Sequence, residues 1–150
     1  MTDDLDRIMS VMEAGFDPQW GEAWTRRQIA DSLTLPTTHY VLVDVDGRRA
    51  DGATAAGFAL TRAAPGEEEL LLIAVRPEHR RRGLGAALLA AVAEGAKSRG
   101  AERLFLEMRS NNPAISLYRA HGFEPIGERR DYYRLPDGRT LDAITFGRTL

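Results

Sequence analysis

The stretch Ile73–Val92, IAVRPEHRRRGLGAALLAAV, constrains the fold more than any other part of the chain. An apolar run with strand character stops at Pro77, which has no backbone N–H to donate. Arg80, Arg81 and Arg82 follow, then Gly83-Leu84-Gly85, then an Ala/Leu-rich segment. Leu84, Leu88, Val92 and Ala96 recur at helical spacing and form one apolar stripe, which predicts a helix from Gly83 to about Arg99 with Gly100 as its stop. The first amides of such a helix have no internal partner and carry the positive end of its dipole. That makes the loop a seat for a phosphate. Gly83 and Gly85 lack a Cβ, so an anion can approach the main chain closely. The arginines add charge and bidentate geometry. Each charge-assisted bond contributes roughly 1.5–3 kcal/mol, so a few would hold a pyrophosphate. The competing reading is a solvated basic turn with glycines for tight packing.

The rest of the chain supplies further elements. Leu5, Ile8, Met9 and Met12 predict a first helix, and Gly15–Trp24 reads as a loop leading into a second helix near Trp24–Leu33. THYVLVDVDG reads as a strand with a turn at Asp46-Gly47. Strands are expected over Ala55–Arg62 and Glu68–Val75, joined at Pro65-Gly66, and RLFLEM reads as a buried strand. Asn112-Pro113 opens another helix, with Asn112 as N-cap and Pro113 at the first position, and His121-Gly122 ends it. Two more strands are expected, around Glu124–Arg134 and Leu141–Leu150, with a turn at Asp137-Gly138. The order is helix, helix, three strands, helix, strand, helix, two strands: one mixed α/β domain, for which 150 residues suffice.

Composition excludes several functions. The net charge of −2 argues against direct nucleic-acid binding. No cysteine is present, so disulfides, thiolate zinc sites and a cysteine nucleophile are excluded. His39, His79 and His121 show no metal-ligand spacing, and no metal is expected. The start, MTDDLDRIMSVM, reads as neither signal peptide nor membrane span, so no membrane association and a cytoplasmic location are expected.

The arginine-glycine loop is neither Gly-x-x-x-x-Gly-Lys-Ser/Thr nor Gly-x-Gly-x-x-Gly. It reads Arg80-x-x-Gly83-x-Gly85, and this resembles the acyl-CoA-binding signature of the GNAT superfamily of N-acetyltransferases. The resemblance extends to LFLEMRSNNPAISLYRAHGFEPIGERRDYY, which looks like the second half of that family. IAV before the loop, the LE of the strand, LY in the helix, RRDYY, and DGR…DAI near the end point to the branch of ribosomal-protein N-terminal alanine acetyltransferases. EAGFDPQW is similar to that branch's aromatic-proline loop.

The resemblance implies a GNAT-like domain, with a central mixed, mostly antiparallel sheet of about six or seven strands flanked by about four helices. It implies acetyl-CoA as co-substrate, held by Ile73, Ala74 and Val75 along the strand end and by Arg80, Arg81, Arg82, Gly83, Leu84, Gly85 and Ala86 at the loop. An amine must be neutral to attack a thioester. At pH ~7.4 this costs an α-amine under about 1 kcal/mol and a lysine about 4 kcal/mol. Modest base help therefore suffices for an α-amine. Glu107 on the LFLEM strand is the candidate base, against the alternative of a strand glutamate paired with an arginine. Tyr118, by helical spacing a core residue, takes the role of acid toward the departing thiolate through the resemblance, and also contacts the cofactor. The amide of Val75 is the candidate donor to the thioester carbonyl.

That branch places its asparagine five residues after the glutamate and seven before the tyrosine. Here Asn111 stands four after Glu107 and seven before Tyr118, and it is taken as the cofactor contact, leaving Asn112 as N-cap. The resemblance makes Tyr132 and Tyr133 part of an acceptor groove, one expected to point inward and one outward, and Trp20 is a further candidate there. The expected acceptor is a peptide or protein N-terminus, with a ribosomal protein among the candidates. Direct transfer in a ternary complex is expected, from a monomer or weak homodimer. The alternatives are a small-molecule amine acetyltransferase and a non-catalytic acyl-CoA-binding module.

Overall fold

A computed structural model describes residues 3–50 and 54–150. Six strands form one sheet in the order β1-β2-β3-β4-β6-β5: β1 Thr38–Val43, β2 Gly57–Ala64, β3 Glu67–Val75, β4 Arg103–Arg109, β5 Glu124–Arg134 and β6 Thr140–Thr149. The four helices are α1 Asp4–Gly15, α2 Arg26–Leu33, α3 Leu84–Ser98 and α4 Ile115–Ala120, with short 3₁₀ turns at Pro18–Trp20 and Pro77–His79. Every neighbouring strand pair is antiparallel except β3 with β4. That parallel pair is joined by α3, since parallel strands need a long crossover connection. The expected mixed, mostly antiparallel sheet with four helices is the one observed, with six strands among the described residues.

The two faces of the sheet bury two apolar clusters. On one face Ile8, Val11 and Met12 of α1 and Ile29 of α2 pack on Phe58, Leu60 and Leu72. On the other, Leu88, Leu89, Val92 and Ala96 of α3 cover Leu104, Leu106, Met108 and Phe146, and Tyr118 of α4 joins them with Phe123. Each such large apolar side chain contributes roughly 1.5–3 kcal/mol when fully buried. Phe58 and Leu60 face α1 while Ala59 faces α3, the period of two expected of a strand covered on both faces.

Two irregularities shape the site. In β3 the register with β2 passes from Leu72↔Leu60 to Leu70↔Thr61, so Leu71 is an extra residue, a β-bulge. Leu70 packs on the α3 face, whereas Leu71 and Leu72 both pack on the α1 face. The pairing of β3 with β4 ends at the same point, at Leu70↔Leu106, so the two strands part beyond it. The second irregularity lies in β5, where the register jumps between Arg129↔Ala143 and Tyr133↔Leu141. Asp131 sits there with φ 52°, its N–H donating to the Asp142 side chain and its carboxylate accepting from the Thr140 hydroxyl. The register of Tyr132 and Tyr133 is therefore shifted relative to the residues before Asp131.

Boundaries move for local reasons. The second helix starts at Arg26 rather than Trp24, because Thr25 and Gln28 close a capping box. The Asn112-Pro113 start is a correction. Asn112 Oδ1 accepts from the Ala114 N–H at 2.9 Å in a separate turn, and helix α4 begins only at Ile115 with Ala114 at its N-cap.

A buried ion pair fastens the far end of α3. Glu68, with its side chain fully buried, accepts two bonds from Arg99, at 2.9 and 2.6 Å, and one from the Thr61 hydroxyl at 2.7 Å. Burial alone would push the Glu68 carboxyl up, but the Arg99 guanidinium and the Thr61 hydroxyl outweigh it and hold the carboxyl below its ordinary value. Glu68→Gln should lower stability by about 2 kcal/mol, the scale of a charge-assisted bond. That corresponds to a melting temperature about 4–8 °C lower in a thermal unfolding scan. A depressed carboxyl stabilises above its ordinary value of 4.5 and loses that contribution as pH falls. The gap between wild type and variant should therefore narrow in scans taken below that pH.

Candidate active site

The parting of β3 and β4 leaves main-chain groups facing a gap. The Arg76 N–H donates to Ala56 O at 2.8 Å, which makes Val75↔Gly57 a pair that exchanges no hydrogen bonds. The N–H groups of Val75 and, two residues earlier, Ile73 therefore point away from β2 into the gap. At its far side stands the start of α3. Arg81 (φ 62°) and Gly83 (φ 78°) both adopt the left-handed region with Arg82 between them, an alternation that builds anion-binding concavities. Gly83 is the N-cap with no side-chain cap bond, and the first helical bond runs from the Ala87 N–H to Gly83 O. Among the described residues, the N–H groups of Leu84, Gly85 and Ala86 have no acceptor. A Cβ on Gly85 would stand 2.9 Å from Leu117 Cδ2, so the absence of a side chain lets α4 press against the first turn of α3.

Two cavities open on the gap. The larger, about 590 Å³, is walled by Ile73, Ala74 and Val75 and by Arg80, Arg81, Gly83, Leu84, Gly85 and Ala86. The smaller, about 380 Å³, holds Glu107, Tyr133 and Trp24. Phe16, Glu22, Ile73, Asn112 and Tyr118 belong to both walls, so the cavities meet there.

At that junction Tyr118 is buried, in edge contact with Phe123 at 5.9 Å between ring centres, and its hydroxyl bonds to no described residue. Burial first, then the charge of Glu22, pushes its hydroxyl pKa well above the ordinary phenol range. Tyr133 is likewise pushed up to about 12 by burial and then by Glu107. Both phenols are protonated at neutral pH. Glu107 accepts from the Thr145 hydroxyl at 3.2 Å and pairs with Arg129 at 3.4 Å.

Several sequence-predicted residues stand elsewhere. Arg82 does not line the larger cavity, and Arg80, which does, spends its guanidinium on Gly15 O (2.7 Å) and Val75 O (3.3 Å). The Asn111 side chain accepts from Arg109 at 2.9 Å, while Asn112 lines both cavities. Trp20 lines the larger cavity rather than the smaller. Tyr132 lies outside the smaller cavity, 47% exposed, edge-on to Tyr133 at 5.2 Å.

Glu22 and Arg109 are additions. Arg109, only 7% exposed, donates to Glu22 at 3.0 Å and lies 4.0 Å over the Trp20 ring. It pins the α1–α2 loop over the end of β4. Period-two alternation puts Arg109 on the face of Glu107, which was legible in LFLEMR. Glu22, on an irregular loop, gave no such signal.

The arrangement matches what an acyl-CoA needs. Free amides and left-handed backbone at α3 suit a diphosphate, and the free strand amides of β3 are donors suited to an extended, amide-bearing arm. The comparisons with known proteins agree. A family model described as Acetyltransferase (GNAT) family matches residues 5–123, and the chain belongs to that family. It is an acetyl-CoA-dependent N-acetyltransferase, and its relatives define the branch it resembles. It is 38% identical over 139 residues to the N-alpha-acetyltransferase RimI of Mycobacterium tuberculosis, covering 89% of this chain and 77% of that protein. It is 44% identical over 90 residues to the [Ribosomal protein bS18]-alanine N-acetyltransferase of Escherichia coli, a match covering 59% of this chain and 60% of that enzyme. The crystal structure of the Escherichia coli ribosomal-protein-S18-alanine N-acetyltransferase superimposes with a TM-score of 0.83 at 29% identity, covering 99% of this chain and 89% of that one.

The loop geometry can be tested at Gly83. Its neighbourhood is open, with no atom within 4 Å of an added Cβ, but its φ of 78° strains any side chain. Alanine tolerates that region at a cost of about 1–2 kcal/mol, and a β-branched residue at more. Calorimetric titration should show acetyl-CoA affinity falling from wild type to Gly83→Ala and by about tenfold or more in Gly83→Val.

Proposed function

We propose that this enzyme transfers acetyl to the N-terminal α-amine of a peptide or protein, of the alanine-starting ribosomal-protein type for which its relatives are named, in a ternary complex in the cytoplasm. The observation that carries the reading is the junction of the two cavities at Tyr118, with Glu107 on the wall of the smaller one. The larger cavity holds acetyl-CoA against the α3 amides, Gly83 and the end of β3. The smaller cavity takes the acceptor, with Tyr133 and Trp24 against its first residue.

Bound acetyl-CoA supplies an activated thioester. The Val75 N–H is free to donate to its carbonyl, where negative charge develops. The entering α-ammonium gives a first proton to solvent, and Glu107 receives the second as the neutral nitrogen bonds to the acetyl carbon. The Tyr118 hydroxyl gives its proton to the sulfur as the C–S bond breaks. Glu107 then returns its proton to solvent, and Tyr118 is reprotonated. Burial keeps the Tyr118 phenol protonated at neutral pH, so a hydroxyl donor stands ready to stabilise the sulfur as charge develops on it. With no cysteine in the chain, there is no thiol to carry the acetyl group between two half-reactions.

The test is a thiol-release assay with Ala-, Ser- and Met-starting peptides beside free lysine and polyamines. Ala-starting peptides should be turned over best. Glu107→Gln and Tyr118→Phe should each lower kcat by about 10²–10⁴-fold while acetyl-CoA binding is kept. Full activity in both variants would remove these two residues from the chemistry, and a preference for polyamines would replace the peptide by a small amine.

A further inference from the structure

Arg129 on β5 is an exposed cation that pairs with Glu107 on the wall of the acceptor cavity. Its Nε stands 3.4 Å from Glu107 Oε2, with Arg129 64% exposed and Glu107 19%. Its guanidinium carbon also lies 5.0 Å over the Tyr132 ring. The displaced register between Arg129 and Tyr133, fastened by Asp131 to Asp142 and Thr140, puts these groups together. Around Glu107 stand Thr145 of β6, Arg129 and Tyr133 of β5, Tyr118 of α4, and the Glu22–Arg109 pair beneath the α1–α2 loop. Of the two cations, Arg109 is fully engaged by Glu22, Asn111 and Trp20. Arg129 is the one ion-pair partner of Glu107 among the described residues.

An α-ammonium entering the cavity brings a second positive charge to the same carboxylate. An exposed pair such as Arg129–Glu107 is weak, and the freed guanidinium has an aromatic face on which to rest. We propose that Arg129 is a placeholder for the acceptor's ammonium. It neutralises Glu107 in the absence of acceptor and yields the carboxylate when a cationic amine arrives, moving fully onto Tyr132. Arg129 thereby tempers the affinity for a cationic acceptor by competing for the same carboxylate. A cationic amine exchanges with it one for one, whereas a neutral acceptor leaves the pair closed. The inference rests on the reading above that Glu107 meets the amine.

The test reads binding, not turnover. Titrations of the acetyl-CoA-free enzyme use an Ala-starting peptide and its des-amino counterpart, in which hydrogen replaces the α-amine. Arg129→Gln should bind the amine peptide about three- to fivefold tighter, the scale an exposed pair supports, and leave the des-amino peptide unchanged. Arg129→Lys, which keeps the cation, should restore the wild-type ratio. Equal changes for both peptides, no change for either, or a ratio left shifted in the lysine variant would overturn the placeholder. Glu107→Gln separates the premise from the inference. If it weakens the amine peptide alone, Glu107 meets the amine, and an unchanged ratio in Arg129→Gln then counts against Arg129 only. If it discriminates neither peptide, the contact between Glu107 and the amine fails instead.

Discussion

Strands β3 and β4 hold hands only as far as Leu70 and Leu106, and the site exists because they then let go. A parallel pair linked by a helix puts the end of β3, the start of α3 and the end of β4 at one edge of the sheet. The bulge at Leu71 turns β3 away at the very step where pairing with β4 stops. The parted strands leave amides that no neighbour satisfies, and burying such groups without a partner is costly. An open cleft lets water or a ligand satisfy them, so the gap in the ladder and the binding site are one feature.

The walls of that cleft are irregular backbone pinned at few points. The segment between α1 and α2 is tied at Gly15 by Arg80 from the arginine-glycine loop and at Glu22 by Arg109 from the end of β4. One segment thus borders both cavities, contributing Phe16 and Glu22 to each. Arg109 is nearly sealed from solvent, and a buried guanidinium is tolerable only because a carboxylate, an amide oxygen and an aromatic face all meet it. At the other end of α3 the Glu68–Arg99–Thr61 cluster fastens the helix to β2 and β3. The helix that presents its first amides to the cleft is therefore anchored at its opposite end.

Most of the elements were legible from periodicity and punctuation. The α3 stripe of Leu84, Leu88, Val92 and Ala96 is buried as its spacing predicts, and the glycines at 47, 66, 83, 100, 122 and 138 all mark turns or helix ends with positive φ. Errors fell where a side chain competes with local rules. Asn112 was expected to cap a helix, yet its carbonyl closes a turn on Ala114 and delays the helix to Ile115. The choice between Asn111 and Asn112 was beyond spacing, because Arg109 engages the first and frees the second to face the cavities. Trp20 belongs with the larger cavity through its contact with the same arginine. The two tyrosines of RRDYY do point one outward and one inward as expected, with Tyr132 exposed and Tyr133 on the smaller cavity, although the αL residue Asp131 shifts the register just before them.

The sequence by itself determined the glycine-arginine loop, the helix behind it, and the order of strands and helices, because these depend on neighbours within a turn or two. Only the tertiary structure decided that the pairing of β3 with β4 stops at Leu70, that Glu22 and Arg109 clasp across 87 residues, and that Arg129 stands on Glu107. Each of these joins residues far apart in the chain, so its energy depends on how the sheet twists and parts, and no local pattern records that.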